Sequence, residues 1–140
     1  MLGALSAMAL AATIAGCGSS GGSYANASRP PEPIAVSVYL TDARVSISPS
    51  HIGAGPVLLL IANESTRSRN VTLTAPAGAS GACVAADASS GPINPQGTAR
   101  VKLPLVQGTC AVGDAAGTLK PAQLVVGPER ASAQQDLLQP

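Results

Sequence analysis

Ile34, Val36, Val38 and Leu40 are apolar, and the positions between them, Ala35, Ser37, Tyr39 and Thr41, are small or polar. A period of two marks a strand with one buried face, because successive side chains leave opposite sides of the pleat. Val45 and Ile47 repeat the pattern between Ser46 and Ser48. Gly53-Ala54-Gly55-Pro56 reads as a turn. Behind it, Val57-Leu58-Leu59-Leu60-Ile61 is apolar on both faces, as a central strand requires. A polar loop over 63–68 leads to Val71, Leu73 and Ala75, which alternate with Thr72 and Thr74. From 76 to 97 Pro, Gly, Ala and Ser dominate without a period, so this reads as one long connection that holds Cys83 and needs something to pin it. Alternation resumes at Thr98, with Val101, Leu103 and Leu105 set against Arg100, Lys102 and Pro104. Gln107-Gly108 turns the chain into Thr109-Cys110-Ala111-Val112, and Leu124-Val125-Val126 before Gly127-Pro128 supplies the last strand. The tail, 129–140, carries Leu137 and Leu138 on a polar background and is expected to be poorly ordered.

Strands separated by Gly/Pro turns, with no amphipathic helical period, predict an all-β domain over 34–128 built as an antiparallel sandwich or small barrel. An immunoglobulin-like sandwich fits the strand count but lacks the buried tryptophan and tyrosine corner. Tyr24 and Tyr39 are the only aromatic residues. The core must therefore be aliphatic, and the flat rings that grip sugars or stack on bases are missing. The formal charge of +1, with 11% charged residues, gives no electrostatic case for nucleic acid or for an anionic membrane surface. Arg67 and Arg69 form a local basic cluster, with Glu64 beside them.

Met1 to Ile14 is apolar or small and carries no charge, and Gly18 to Ser23 is polar and flexible. A short apolar run ending in small residues has the form of an export signal and is too short to span a bilayer. Ile14-Ala15-Gly16-Cys17 resembles the lipobox of bacterial lipoproteins. That resemblance implies a signal peptide over 1–16, cleavage before Cys17, and diacylation of its thiol. More than one acyl chain is what holds a protein durably at a bilayer. The expected location is the extracytoplasmic face of the cell membrane. Residues 17–33 become a lipid-anchored linker, flexible at first and stiffer through Arg29-Pro30-Pro31-Glu32-Pro33, with a span of roughly 20 to 30 Å.

With Cys17 carrying lipid, Cys83 and Cys110 are left in an oxidising compartment, where a disulfide is the default. Closing the 26 intervening residues contributes on the order of 3 to 4 kcal/mol in the chain-entropy account. A redox-active or metal-binding pair is the alternative, but neither cysteine lies in a Cys-x-x-Cys arrangement.

Thr41-Asp42, Val45 to Ile52 with Pro49-Ser50, Ala54-Gly55-Pro56-Val57 and Asn63 resemble the opening of small bacterial cupredoxin-like domains. Gly91 to Thr98 and Gln107-Gly108-Thr109 are similar to the turn, strand and turn that precede that family's copper loop. The resemblance covers roughly residues 34 to 127 and implies a Greek-key β-sandwich. A blue-copper centre takes two imidazoles and a thiolate, usually with an axial thioether. Where the resembling pattern has its first histidine, this chain has Arg69, ahead of Asn70. A guanidinium has no lone pair to give. In the closing loop Asp114 stands near the second histidine position and Thr118 near the methionine, while Cys110 lies near the cysteine or the preceding aromatic position.

The only histidine, His51, belongs to an early segment far from either ligand loop in the pattern. No calcium loop is present, and Asp42, Asp87, Asp114 and Glu64 are scattered. The expectation is a non-catalytic, lipid-anchored envelope protein with a copper-free cupredoxin-like domain, no cofactor, and an unidentified protein partner. The alternatives are an envelope metal-handling protein using Cys110, His51 or Asp114 weakly, and a secreted hydrolase using His51.

Overall fold

The alternating segments fold as strands. The computed structural model describes residues 30–76 and 81–132, which contain eight strands and no helix. These are β1 (Ile34–Leu40), β2 (Val45–Ser48), β3 (His51–Asn63), β4 (Arg69–Thr74), β5 (Ala88–Ile93), β6 (Thr98–Leu105), β7 (Gly108–Asp114) and β8 (Ala122–Glu129). The expected signal peptide, the anchor at Cys17 and nearly all of the linker lie outside the described residues.

The strand order is β2-β1-β3-β8-β7-β4-β5, with β6 on the other side of β3. β3 serves two groups of partners. Its first residues, His51 to Ala54, run parallel to β8. From Gly55 onward it lies antiparallel to β6, and from Val57 to Asn63 it runs parallel to β1. The change comes at a register shift between Gly53 and Ala54. Such an irregularity bends a strand and increases its twist. Gly55 follows at φ 129°, a backbone shape that side chains with a Cβ rarely adopt.

Three sequence expectations are corrected here. The segment 53–56 is a bend inside one long strand, not a turn between two. The sheet is mixed rather than antiparallel, because β1–β3 and β3–β8 are parallel pairs. The long connection also contains a strand: Ala88–Ile93 pairs with β4, although Ser89-Ser90-Gly91-Pro92 shows no apolar alternation.

The core is aliphatic, as the composition requires. Leu40, Leu59, Ile61, Leu73, Leu105 and Leu124 are its largest fully buried side chains, filled in by Val36, Val38, Val57, Val71 and Val112. Cys83 and Cys110 are joined by a disulfide with Cα atoms 5.4 Å apart, and both are fully buried. The bridge fastens the stretch before β5 onto β7. Backbone bonds reinforce it, from Val106 N–H to Cys83 O (2.9 Å) and from Thr109 N–H to Gly81 O (3.2 Å). Gly108 permits the close approach, since a Cβ there would stand 2.8 Å from Gly81 O.

Glu129 closes β8, and Arg130 beyond it is fastened to three backbone carbonyls. Its guanidinium donates to Ala54 O, Pro56 O and Glu32 O, across the bend of β3 and the entry to β1. Residues 133–140 of the expected tail lie outside the described residues.

Candidate functional site

Antiparallel pairing of β4 with β7 sets Val71 opposite Asp114, so the start of β4 and the end of β7 share one end of the molecule. Arg69 opens β4 there, and Asp114 closes β7. After Asp114 the chain turns tightly through Gly117, at φ 64°, with Gly117 N–H bonded to Asp114 O at 2.9 Å. The turn returns Thr118 to the same place.

The three residues at the ligand positions of the resembling pattern therefore meet. Arg69 Nη1 lies 2.7 Å from Thr118 Oγ1 and 3.3 Å from Asp114 Oδ2. The Thr118 hydroxyl donates to Asp114 Oδ2 at 2.8 Å, and Leu119 N–H donates to Asp114 Oδ1 at 2.8 Å. The side chain of Asp114 is 1% exposed and that of Arg69 10%. Burial alone would push the Asp114 carboxyl up. The Leu119 amide, the Thr118 groups and the Arg69 charge outweigh it and hold the carboxyl below the usual carboxylate range.

The guanidinium reaches two further loops. Nε donates to Ser65 Oγ at 3.3 Å, and Nη2 stands 3.9 Å from Asp42 Oδ1. Asp42 also accepts from the Thr66 backbone N–H and hydroxyl, both at 3.1 Å. Under this layer sits Asn63, fully buried at the end of β3. Its amide nitrogen lies within hydrogen-bond distance of Arg67 O, Ile93 O and Asn94 O, and its Oδ1 accepts from Ser65 N–H and Oγ. Buried polar groups are tolerable when paired in this way. No buried side-chain nitrogen or oxygen among the described residues lacks a partner.

The remaining candidates are not gathered here. Cys110 is in the disulfide, four residues before Asp114 on β7. His51 is exposed at the opposite end of β3, pairs with Val125, and has Ser50 Oγ 3.1 Å from its Nδ1. Among the described residues no three His, Cys, Asp or Glu side chains come together as metal ligands would. The residues at the β4–β7 end do not fit a blue-copper centre. A charged guanidinium fills the first position, Asp114 is bound up by three donors, and the nearest sulfur is oxidised. What this end can do chemically is hold charge and join loops.

Sequence reasoning picked out Arg69, Asp114 and Thr118 one at a time, and Asn63 as part of a pattern. It missed Ser65 and treated Asp42 as scattered. An Asn-x-Ser at the end of an apolar strand was the available signal, since Asn and Ser bond readily to nearby backbone. No protein-family model and no curated protein matches this chain.

Proposed function

We propose that this chain is a lipid-anchored, non-catalytic component of the cell envelope, whose folded part is a cupredoxin-like Greek-key sandwich without copper. Two features of the fold support the architecture: β3 pairs with β8 before its bend and lies between β1 and β6 after it, and β2-β1-β3 and β8-β7-β4-β5 form continuous runs to either side of that bend. The anchor rests on the Ile14-Ala15-Gly16-Cys17 sequence. The observation that carries the functional reading is the Arg69–Asp114–Thr118 network. Where the resembling family would hold a cation on side-chain ligands, this chain carries its own cation and neutralises it internally.

On this reading the guanidinium joins loops that a metal would otherwise join, and the domain acts through its surface, as a structural or protein-interaction module. Copper titration of the mature chain, with and without reductant, tests it. The expected result is no stoichiometric binding in either condition. One tightly held copper per molecule, or a blue colour in native material, would overturn it in favour of metal handling. Intact mass of membrane-extracted protein tests the anchor separately, and an unmodified Cys17 would remove it.

A further inference from the structure

Three rows cross the outer face of β1, β3 and β6: Ala35–Leu58–Lys102, Ser37–Leu60–Arg100 and Tyr39–Ala62–Thr98. Their neighbours along each strand point into the core, as the alternating burial requires. Tyr39 is the one aromatic side chain among the described residues, and it stands outside, 44% exposed, although the core is wholly aliphatic. A ring that adds nothing to the core is placed where its apolar body and polar tip meet solvent together. Beside it Ser37, Leu60, Ala62 and Arg100 line a shallow depression.

The charge on this face has one sign. β1, β2, β3 and β6 contain no Asp or Glu, while β6 contributes Arg100 and Lys102, both exposed. The nearest carboxylates in sequence, Glu32, Asp42 and Glu64, lie beyond the ends of β1 and β3, and Asp42 faces Arg69 and Thr66. The net charge of the whole chain conceals this separation. A second copy of the chain is a poor occupant, because face-to-face contact would bring like charges together. An anionic lipid surface is a good one. It is flat, as the sheet face is, and its headgroup level suits a tyrosine. Long cationic side chains can lay their stems on the apolar face while their charges reach phosphate. β1 also follows the linker directly, so the face begins where the tether ends.

We propose that the outer face of β1, β3 and β6 lies against the anionic lipid surface to which the chain is tethered. The inference rests on the lipid-anchor reading for its setting, and the test replaces the natural anchor so that the two can fail separately. The chain beginning at Cys17 is coupled through that thiol to a maleimide-bearing lipid, since its other two cysteines are joined. Its only lysines are Lys102, on the face, and Lys120, in the loop before β8, so amine acylation read by mass spectrometry contains its own control.

On phosphatidylglycerol-containing vesicles, acylation of Lys102 is expected to slow about fivefold relative to Lys120, in line with the surface attraction of one cation. On phosphatidylcholine alone the two rates keep the ratio they have in solution. High salt or Arg100→Glu, an exposed change checked for folding by its melting curve, reduces the protection. If the variant does not fold, the lipid comparison and the salt series still decide. An unchanged Lys102 to Lys120 ratio on both vesicles overturns the proposal. So does protection conferred by an acidic peptide and not by lipid, which would assign the face to a protein. Finding no acyl chain on native Cys17 would remove the natural anchor while leaving this measurement intact.

Discussion

Asn63 and Asp114 hold the β4–β7 end of the molecule in different ways. Asn63 is neutral and completely buried, and its side chain satisfies backbone groups from the loop after β3 and the turn after β5. Asn63→Ala strands several of those groups without water. We expect a loss of about 3 kcal/mol or more, measured by urea denaturation, because each orphaned buried group costs about 1–3 kcal/mol. Asp114 is charged, and its contribution depends on pH. Its folded pKa is depressed, so the stabilisation is fully present above the unfolded value of about 3.9 and is lost as pH falls through the lower folded value. Stability followed from about pH 6 to about pH 3 should therefore fall more steeply in the native chain than in Asp114→Asn. Removing Arg69 should cost about 3–5 kcal/mol, since the buried Asp114 carboxylate then has no countercharge. Replacing Arg69 and Asp114 together by apolar residues of similar volume should cost much less than the sum of the two single changes.

At the scale of the element, β3 departs most from a simple reading. Its glycines and proline look like a turn because Gly and Pro usually interrupt strands. The chain instead uses them to bend one strand where it exchanges β8 for β1 and β6. A Cβ on Gly55 would stand 2.8 Å from Pro31 Cγ and 3.0 Å from an Arg130 nitrogen, and the backbone there is at φ 129°. Gly55→Ala should cost about 1–3 kcal/mol in a thermal or denaturant melt. Gly113→Ala, whose new methyl would meet Pro121 Cβ at an ordinary 3.5 Å, should be neutral or slightly stabilising.

The same contrast explains what could be read from the sequence. β1, β2, β4 and β6 announce themselves by period, because each has a core face, and the second half of β3 by its unbroken apolar run. β5 does not: its ladder runs through Ser, Gly and Pro, held by side-chain bonds such as Ser90 Oγ to Val71 N–H and Ser89 Oγ to Asn70. Parallel pairing was also hidden, since a strand's own alternation says nothing of its neighbour's direction. The site residues were legible singly, through their positions in a family-like pattern. Their convergence depends on the β4–β7 register and the turn at Gly117, neither of which local sequence fixes. From sequence Arg130 belongs to a loose tail, because nothing in its neighbours signals three carbonyl acceptors some 75 to 100 residues away.

For the molecule as a whole, the disulfide fastens a described stretch, 81–87, that contains no strand. Cys83 ties the segment before β5 to the middle of β7, in a core without aromatic mass to spare. Changing both cysteines to Ala should lower stability by about 3–4 kcal/mol, read from the denaturation midpoint and slope. The residues around 81–84 should then show the largest gain in amide exchange.

The shared strand sets how the domain comes apart. If each half owned all of its strands, one could open while the other persisted, and native-state hydrogen exchange would resolve two levels of protection. Here the run β2-β1-β3-β6 loses an inner member and the run β3-β8-β7-β4-β5 its edge whenever β3 leaves, so neither is a self-sufficient unit. Amides in β1 and in β4, which are not paired with each other in the sheet, should exchange through one and the same opening.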